Sequence, residues 1–130
     1  MNLRFTITGN QDDPKGNPVP YTRTTQAGKF NARYKRYTAW KDHVQTAFAL
    51  SRDVPVDVDG RRQVYDSIGG NPRGRVEATI MFGKETHADP DNIVKGILDA
   101  LFNDDKHINV TTWHTCGNAE PRVEVTMEIL

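Results

Sequence analysis

Three segments of this chain alternate apolar and polar residues with a period of two, and that period leaves few folds open. In RVEATIMF (75–82) the apolar positions are Val76, Ala78, Ile80 and Phe82. In RVEVTMEI (122–129) they are Val123, Val125, Met127 and Ile129, and in NLRFTIT (2–8) they are Leu3, Phe5 and Ile7. Successive strand side chains point to opposite faces, so each segment reads as a strand with one face on a core and the other in water. Residues 107–115 read as a further, less apolar strand. Two stretches follow the helical period instead. Asn31 is an N-cap candidate for a helix to about Ser51, with Tyr37, Trp40, Val44, Ala47 and Phe48 on one face. The second helix runs from about Pro90 to Phe102. The expected architecture is α+β: a mixed sheet of about four strands with two main helices.

The connections are rich in turn formers. Residues 9–20 hold three prolines and two glycines and read as a loop. Residues 52–75 read as a loop or hairpin carrying Arg61, Arg62, Arg73 and Arg75. A length of 130 residues suits a single domain, 1–130. No apolar run reaches the ~18 residues a membrane span needs, and residues 1–10 lack the apolar core of a signal peptide. A lone cysteine, Cys116, fits a reducing compartment, so a cytoplasmic protein with no membrane partner is expected.

Charge is distributed unevenly although its formal sum is zero. Pro14 to Lys41 contains seven Lys or Arg and no acid, whereas Glu85 to Asp105 contains six acids and one lysine, Lys95. The acids concentrate in HADPDNIVKGILDALFNDD (87–105). Part of that pattern is architectural: Asp89 suits an N-cap, Pro90 suits N1, and Asp91 in the first turn faces the positive end of the helix dipole. Capping does not explain Lys95, one turn beyond Asp91, or the second acidic pair Asp104–Asp105. Clustered carboxylates repel one another unless a cation neutralises them. Mg²⁺ takes one or two carboxylates together with waters and substrate phosphate, and so activates water against a phosphodiester. A lysine at Lys95 would meet the phosphate.

The basic stretch supplies Arg23, Lys29, Arg33, Lys35, Arg36 and Lys41, interleaved with Tyr21, Phe30, Tyr34, Tyr37 and Trp40. Together with Arg61, Arg62 and Arg73 these cations are the candidate DNA contacts, giving salt-dependent and sequence-tolerant affinity. Exposed aromatics there would stack on unpaired bases, although Tyr37 and Trp40 fit the core stripe. Other motifs fail as sites. VDVDG (56–60) would place Pro55 at the first ligand position of a calcium loop. His114 and Cys116 lack a second His or Cys pair for zinc. His43, His87 and His107 are isolated, His87 being near enough to Asp89 to touch a substrate.

DPDNIVKGILDAL followed by DD resembles the D-x-D-N-x-x-K-x-x-x-D-A-L … D-D signature of the RusA family of Holliday-junction resolvases, often encoded by phages and prophages. PKGNPVPYTRTT and FNARYKRYTAWKDHV are similar to that family's basic segment and first helix. The resemblance covers most of the chain outside 52–74. It implies a homodimeric, Mg²⁺-dependent endonuclease that nicks four-way DNA junctions symmetrically. By position it makes Asp89, Asp91 and Asp105 the metal-binding aspartates and Lys95 the essential lysine, and it matches Asp99 to a further family position. Asp99 is expected to pair with Lys95, four residues away. The link between DAL and DD is only Phe102 and Asn103, shorter than usual, which leaves Asp104 as an alternative to Asp105 for the third ligand, and Trp113 and His114 stand where the family tends to carry lysine. A straight helix from Asp91 to Phe102 is roughly 16 Å long at ~1.5 Å per residue, so Asp105 would lie at its far end. Either a two-fold dimer lends Asp105 across antiparallel helices, or the helix ends early and the chain folds back. Two other readings compete with a nuclease. One is a branched-DNA-binding protein that does not cut, and the other is a small metal-binding module that leaves the basic lobe unexplained.

Overall fold

A computed structural model of the chain describes residues 2–23, 32–51, 68–84 and 87–130. Its elements are β1 (Asn2–Thr8), α1 (Ala32–Ser51), β2 (Gly74–Met81), α2 (Pro90–Leu101), β3 (Ile108–Thr115) and β4 (Arg122–Ile129). The strands form one four-stranded sheet in the order β1-β4-β2-β3. β4 is antiparallel to both neighbours, whereas β2 and β3 are parallel. A parallel pair needs a crossover, and α2 supplies it. The fold is therefore the α+β mixed sheet with two helices that the residue periods predict.

Register explains which face is buried. One row across the sheet runs Phe5, Val125, Ala78, Thr112, and the next runs Ile7, Val123, Ile80, His114. The first three members of each row are buried, but the fourth, on β3, is polar. Consequently β3 keeps only Ile108 in the core, and Val110 stays 40% exposed at the sheet edge. The opposite sheet face carries Arg75, Glu77, Glu124 and Glu128, and stays polar.

Both helices bring apolar stripes to the core. From α1 come Tyr37, Trp40, Val44 and Phe48, with the Phe48 ring edge-on to Phe5 at 5.4 Å. From α2 come Ile93, Val94, Ile97, Leu98, Ala100 and Leu101. Each of the Val, Leu, Ile and Phe side chains among them contributes about 1.5–3 kcal/mol on burial. Three boundaries differ slightly from the periodicity. β2 starts one residue early at Gly74, and Phe82, just past its end, remains buried with its N–H donated to the Thr115 carbonyl. β3 starts at Ile108, one residue late. α2 ends at Leu101, and Phe102 caps it by donating its N–H to the Leu98 carbonyl. Among the described residues no helix is long and apolar enough to cross a membrane. The proposed N-cap Asn31 lies outside the described residues.

Candidate functional site

The N-terminus of α2 is built as DPDN suggests. Asp89 is the N-cap: one carboxylate oxygen accepts the Asp91 N–H at 2.9 Å, its carbonyl accepts the Ile93 N–H, and Pro90 occupies the first turn. Asp91 follows in that turn. Both carboxylates are exposed, and capping leaves the second Asp89 oxygen open. Upstream, the His87 ring stacks on buried Phe82 with centroids 3.8 Å apart and planes 6° apart. Its Nδ1 lies 2.8 Å from the Ala88 carbonyl, which anchors the approach to Asp89. His114 of β3 stands edge-on, 5.8 Å from His87.

Asp89 opens into a cleft of about 430 Å³ that it shares with Tyr21, Thr22, Asn92, Arg33 and Arg36. Two guanidiniums from the first turns of α1 thus border the acidic helix start. The polarised sequence has become a local juxtaposition, acid on one wall and base on the other. A polyanion can be bound by the arginines while a cation is held by the carboxylates.

Lys95 lies one turn along α2 from Asp91, but the expected pair with Asp99 is absent. Asp99 is engaged from α1 instead: the Tyr37 hydroxyl donates to it at 2.7 Å, and the Lys41 ammonium lies 3.4 Å from the same oxygen. Tyr37 is fully buried, and burial followed by the Asp99 bond holds its phenol well above the ordinary range, so it stays protonated as the donor. With Asp99 occupied, the Lys95 ammonium sits over the Tyr21 ring, 4.4 Å from its centroid. Local spacing favoured the Lys95–Asp99 pair, and tertiary contacts from 62 residues away override it.

Asp104 and Asp105 lie at the other end of the helix. Asp105 precedes β3 and its carbonyl accepts the Ile108 N–H. Asp104 accepts the Lys106 backbone N–H at 3.1 Å, which lowers its carboxyl below the usual range, with the Lys106 charge adding to the effect. The twelve residues of α2 put roughly 18 Å between these acids and Asp89. The helix does not end early enough for the chain to fold back. Accordingly, among the described residues no three His, Cys, Asp or Glu side chains converge as a metal site. Asp89 and Asp91 offer hard oxygen donors suited to Mg²⁺, but one chain does not bring Asp105 to them.

Of the candidate DNA contacts, Arg23, Arg33, Lys35 and Arg36 are exposed near the start of α1 and the segment before it. Lys41 is turned to Asp99 and the Tyr37 ring. Lys29, Arg61 and Arg62 lie outside the described residues. Arg73 is at the opposite end of the sheet, in an open cleft of about 720 Å³ with Arg75, Lys106 and His107. Lys106 and His107 directly follow DD, and parallel pairing of β2 with β3 brings Arg73 alongside them. Trp113 is 62% exposed on the polar sheet face, not at the cleft.

The family model for endodeoxyribonuclease RusA matches residues 13–128. No curated protein matches the chain.

Proposed function

The chain belongs to the endodeoxyribonuclease RusA family, whose members act on Holliday junctions, and on that premise we propose that it resolves four-way DNA junctions by Mg²⁺-dependent phosphodiester hydrolysis. The observation that carries this reading is the juxtaposition at the start of α2. Exposed Asp91 and Lys95 line one groove, and exposed Asp89, at the cap of the same helix, shares a cleft with Arg33 and Arg36.

In this reading the arginines bind the backbone phosphates on either side of the cut, and Lys95 meets the scissile phosphate. Asp89 and Asp91 would hold Mg²⁺, which when bound would neutralise charge at the phosphate and acidify a water. Asp89 has one oxygen committed to the helix cap, which fixes the direction of the other.

Asp105 joins this site from a second subunit. In a two-fold dimer with antiparallel α2 helices, Asp105 of each chain comes to the helix start of the other. The β3 edge supports this arrangement. It borders a groove lined by Asp91, Val94, Lys95 and Leu98 of α2 and by Val110 and Thr112 of β3. Unpaired edge strands are ready templates for another chain. Two sites in one dimer also suit the two symmetric nicks that resolving a junction requires.

Subunit mixing tests the shared site. Asp91→Asn and Asp105→Asn homodimers should each be inactive. A dimer of one with the other should regain one working site, with Asp91 from one chain and Asp105 from its partner, and nick a single strand. Mixed dimers as inactive as either parent would rule out a site shared in trans.

A further inference from the structure

Lys95 has an acid one turn away on each side, Asp91 and Asp99, and among the described residues it forms an ion pair with neither. Its ammonium instead lies over the face of Tyr21, 4.4 Å from the ring centroid. The ring is held from behind. It meets Tyr37 edge-on at 5.3 Å with planes 72° apart, and Tyr37 is tied through its hydroxyl to Asp99, which Lys41 also contacts. The backbone of the same residue is fixed as well, since the Tyr21 N–H donates to the Asn92 carbonyl at 3.1 Å. Gly96 makes the approach possible, because a Cβ there would lie 3.0 Å from the Tyr37 ring and 3.5 Å from the Tyr21 nitrogen.

We propose that Tyr21 is a positioning residue for Lys95: its ring face, which lines the Asp89 cleft, seats the ammonium of a lysine that shares a groove with Asp91, while the Tyr37–Asp99–Lys41 set braces the ring and keeps Asp99 from capturing the lysine. The inference rests on the reading in which Lys95 meets the scissile phosphate. A lysine paired to Asp99 would have to break an ion pair before reaching phosphate. An aromatic face attracts the cation without neutralising it, and the seat is weak enough to release it. Preorganisation of this kind acts on the chemical step more than on binding.

The test has a readout that does not depend on cleavage. Lysines of the folded protein are reductively methylated with ¹³C, and the Lys95 signal is assigned by its loss in Lys95→Arg. Ring current from Tyr21 should shift that signal upfield in wild type and in Tyr21→Phe. Tyr21→Leu should return it to the position of a solvated lysine, with circular dichroism unchanged. Tyr37→Phe, which releases Asp99, should give an intermediate position. On a four-way junction Tyr21→Leu should lower kcat about tenfold with KM within about twofold, and Tyr21→Phe should restore most of the loss. A wild-type Lys95 signal at the solvated position, or an unchanged kcat in Tyr21→Leu, would overturn the proposal. Absence of cleavage by wild type with the upfield shift intact would overturn the nuclease reading and leave the seat standing.

Discussion

Asp91→Asn should lower the rate of junction cleavage by about 10³-fold or more, a loss of about 4 kcal/mol of transition-state stabilisation, while junction binding stays within about threefold of wild type. The substitution removes one negative charge and changes almost no volume. Asp91 is exposed in the first turn, and the carboxylate that caps the helix belongs to Asp89. Folding therefore has little to lose, apart from the few tenths of a kcal/mol that an acid near a helix start contributes. A cation held between two carboxylates loses a hard, charged donor and gains a neutral amide. Binding through Arg33, Arg36 and their neighbours is untouched, and the loss of an acid facing phosphate strengthens it slightly. Rates from a labelled four-way junction and affinities from the same junction in EDTA separate the two effects. Asp91→Asn cutting at near wild-type rate would reduce DPDN to a helix cap and leave a protein that binds branched DNA without chemistry of its own at that position.

Gly74→Ala should cost roughly 3 kcal/mol or more of stability, and lower the melting temperature by about 10 °C. Gly74 opens β2 with φ +151°, a region that residues with a Cβ rarely adopt, and an added Cβ would overlap the Glu128 carbonyl oxygen. The obstacle is backbone, so no rotamer change relieves it. Either β4 must move away from β2, or the head of β2 must swing toward His107, whose carbonyl accepts the Gly74 N–H at 3.5 Å. Both movements open the row Ile129–Gly74–Ile108, which closes that end of the core. Gly70→Ala separates sterics from backbone preference. Gly70 also has positive φ, +77°, but a Cβ there meets nothing within 4 Å, so only about 1 kcal/mol should be lost. Thermal or urea unfolding of the two variants decides the comparison, and equal losses would refute the steric argument.

Much of this architecture was legible because it follows from local periodicity. The alternation in RVEATIMF and RVEVTMEI located β2 and β4 to within a residue, and Asp89–Pro90 marked the start of α2 where the cap is found. The rise of a helix put Asp105 at the far end from Asp91 but left a fold-back open, and only the full length of α2, to Leu101, removes that alternative within one chain. Contacts between distant segments were not legible. Asp99 has Lys95 one turn away, and only the packing of α1 on α2 shows that Tyr37 takes it first. Nothing local marks Tyr21 as the neighbour of Lys95, 74 positions on. Lys106 and His107 gain meaning only when parallel pairing of β2 with β3 brings Arg73 beside them. Gly74 looked like part of a turn, whereas it opens a strand at a point where β4 passes too close for any side chain.

In the proposed reading, acids at the two ends of α2 serve a single chemistry on branched DNA. The most direct measurement incubates the wild-type chain with a four-way junction labelled on each strand in turn, alongside a linear duplex of the same sequence, in Mg²⁺ and in EDTA. Nicks are expected on two opposing strands at symmetric positions, dependent on Mg²⁺, with the duplex left intact. Tight junction binding without a nick in any divalent metal, or cutting of junction and duplex alike, would contradict it.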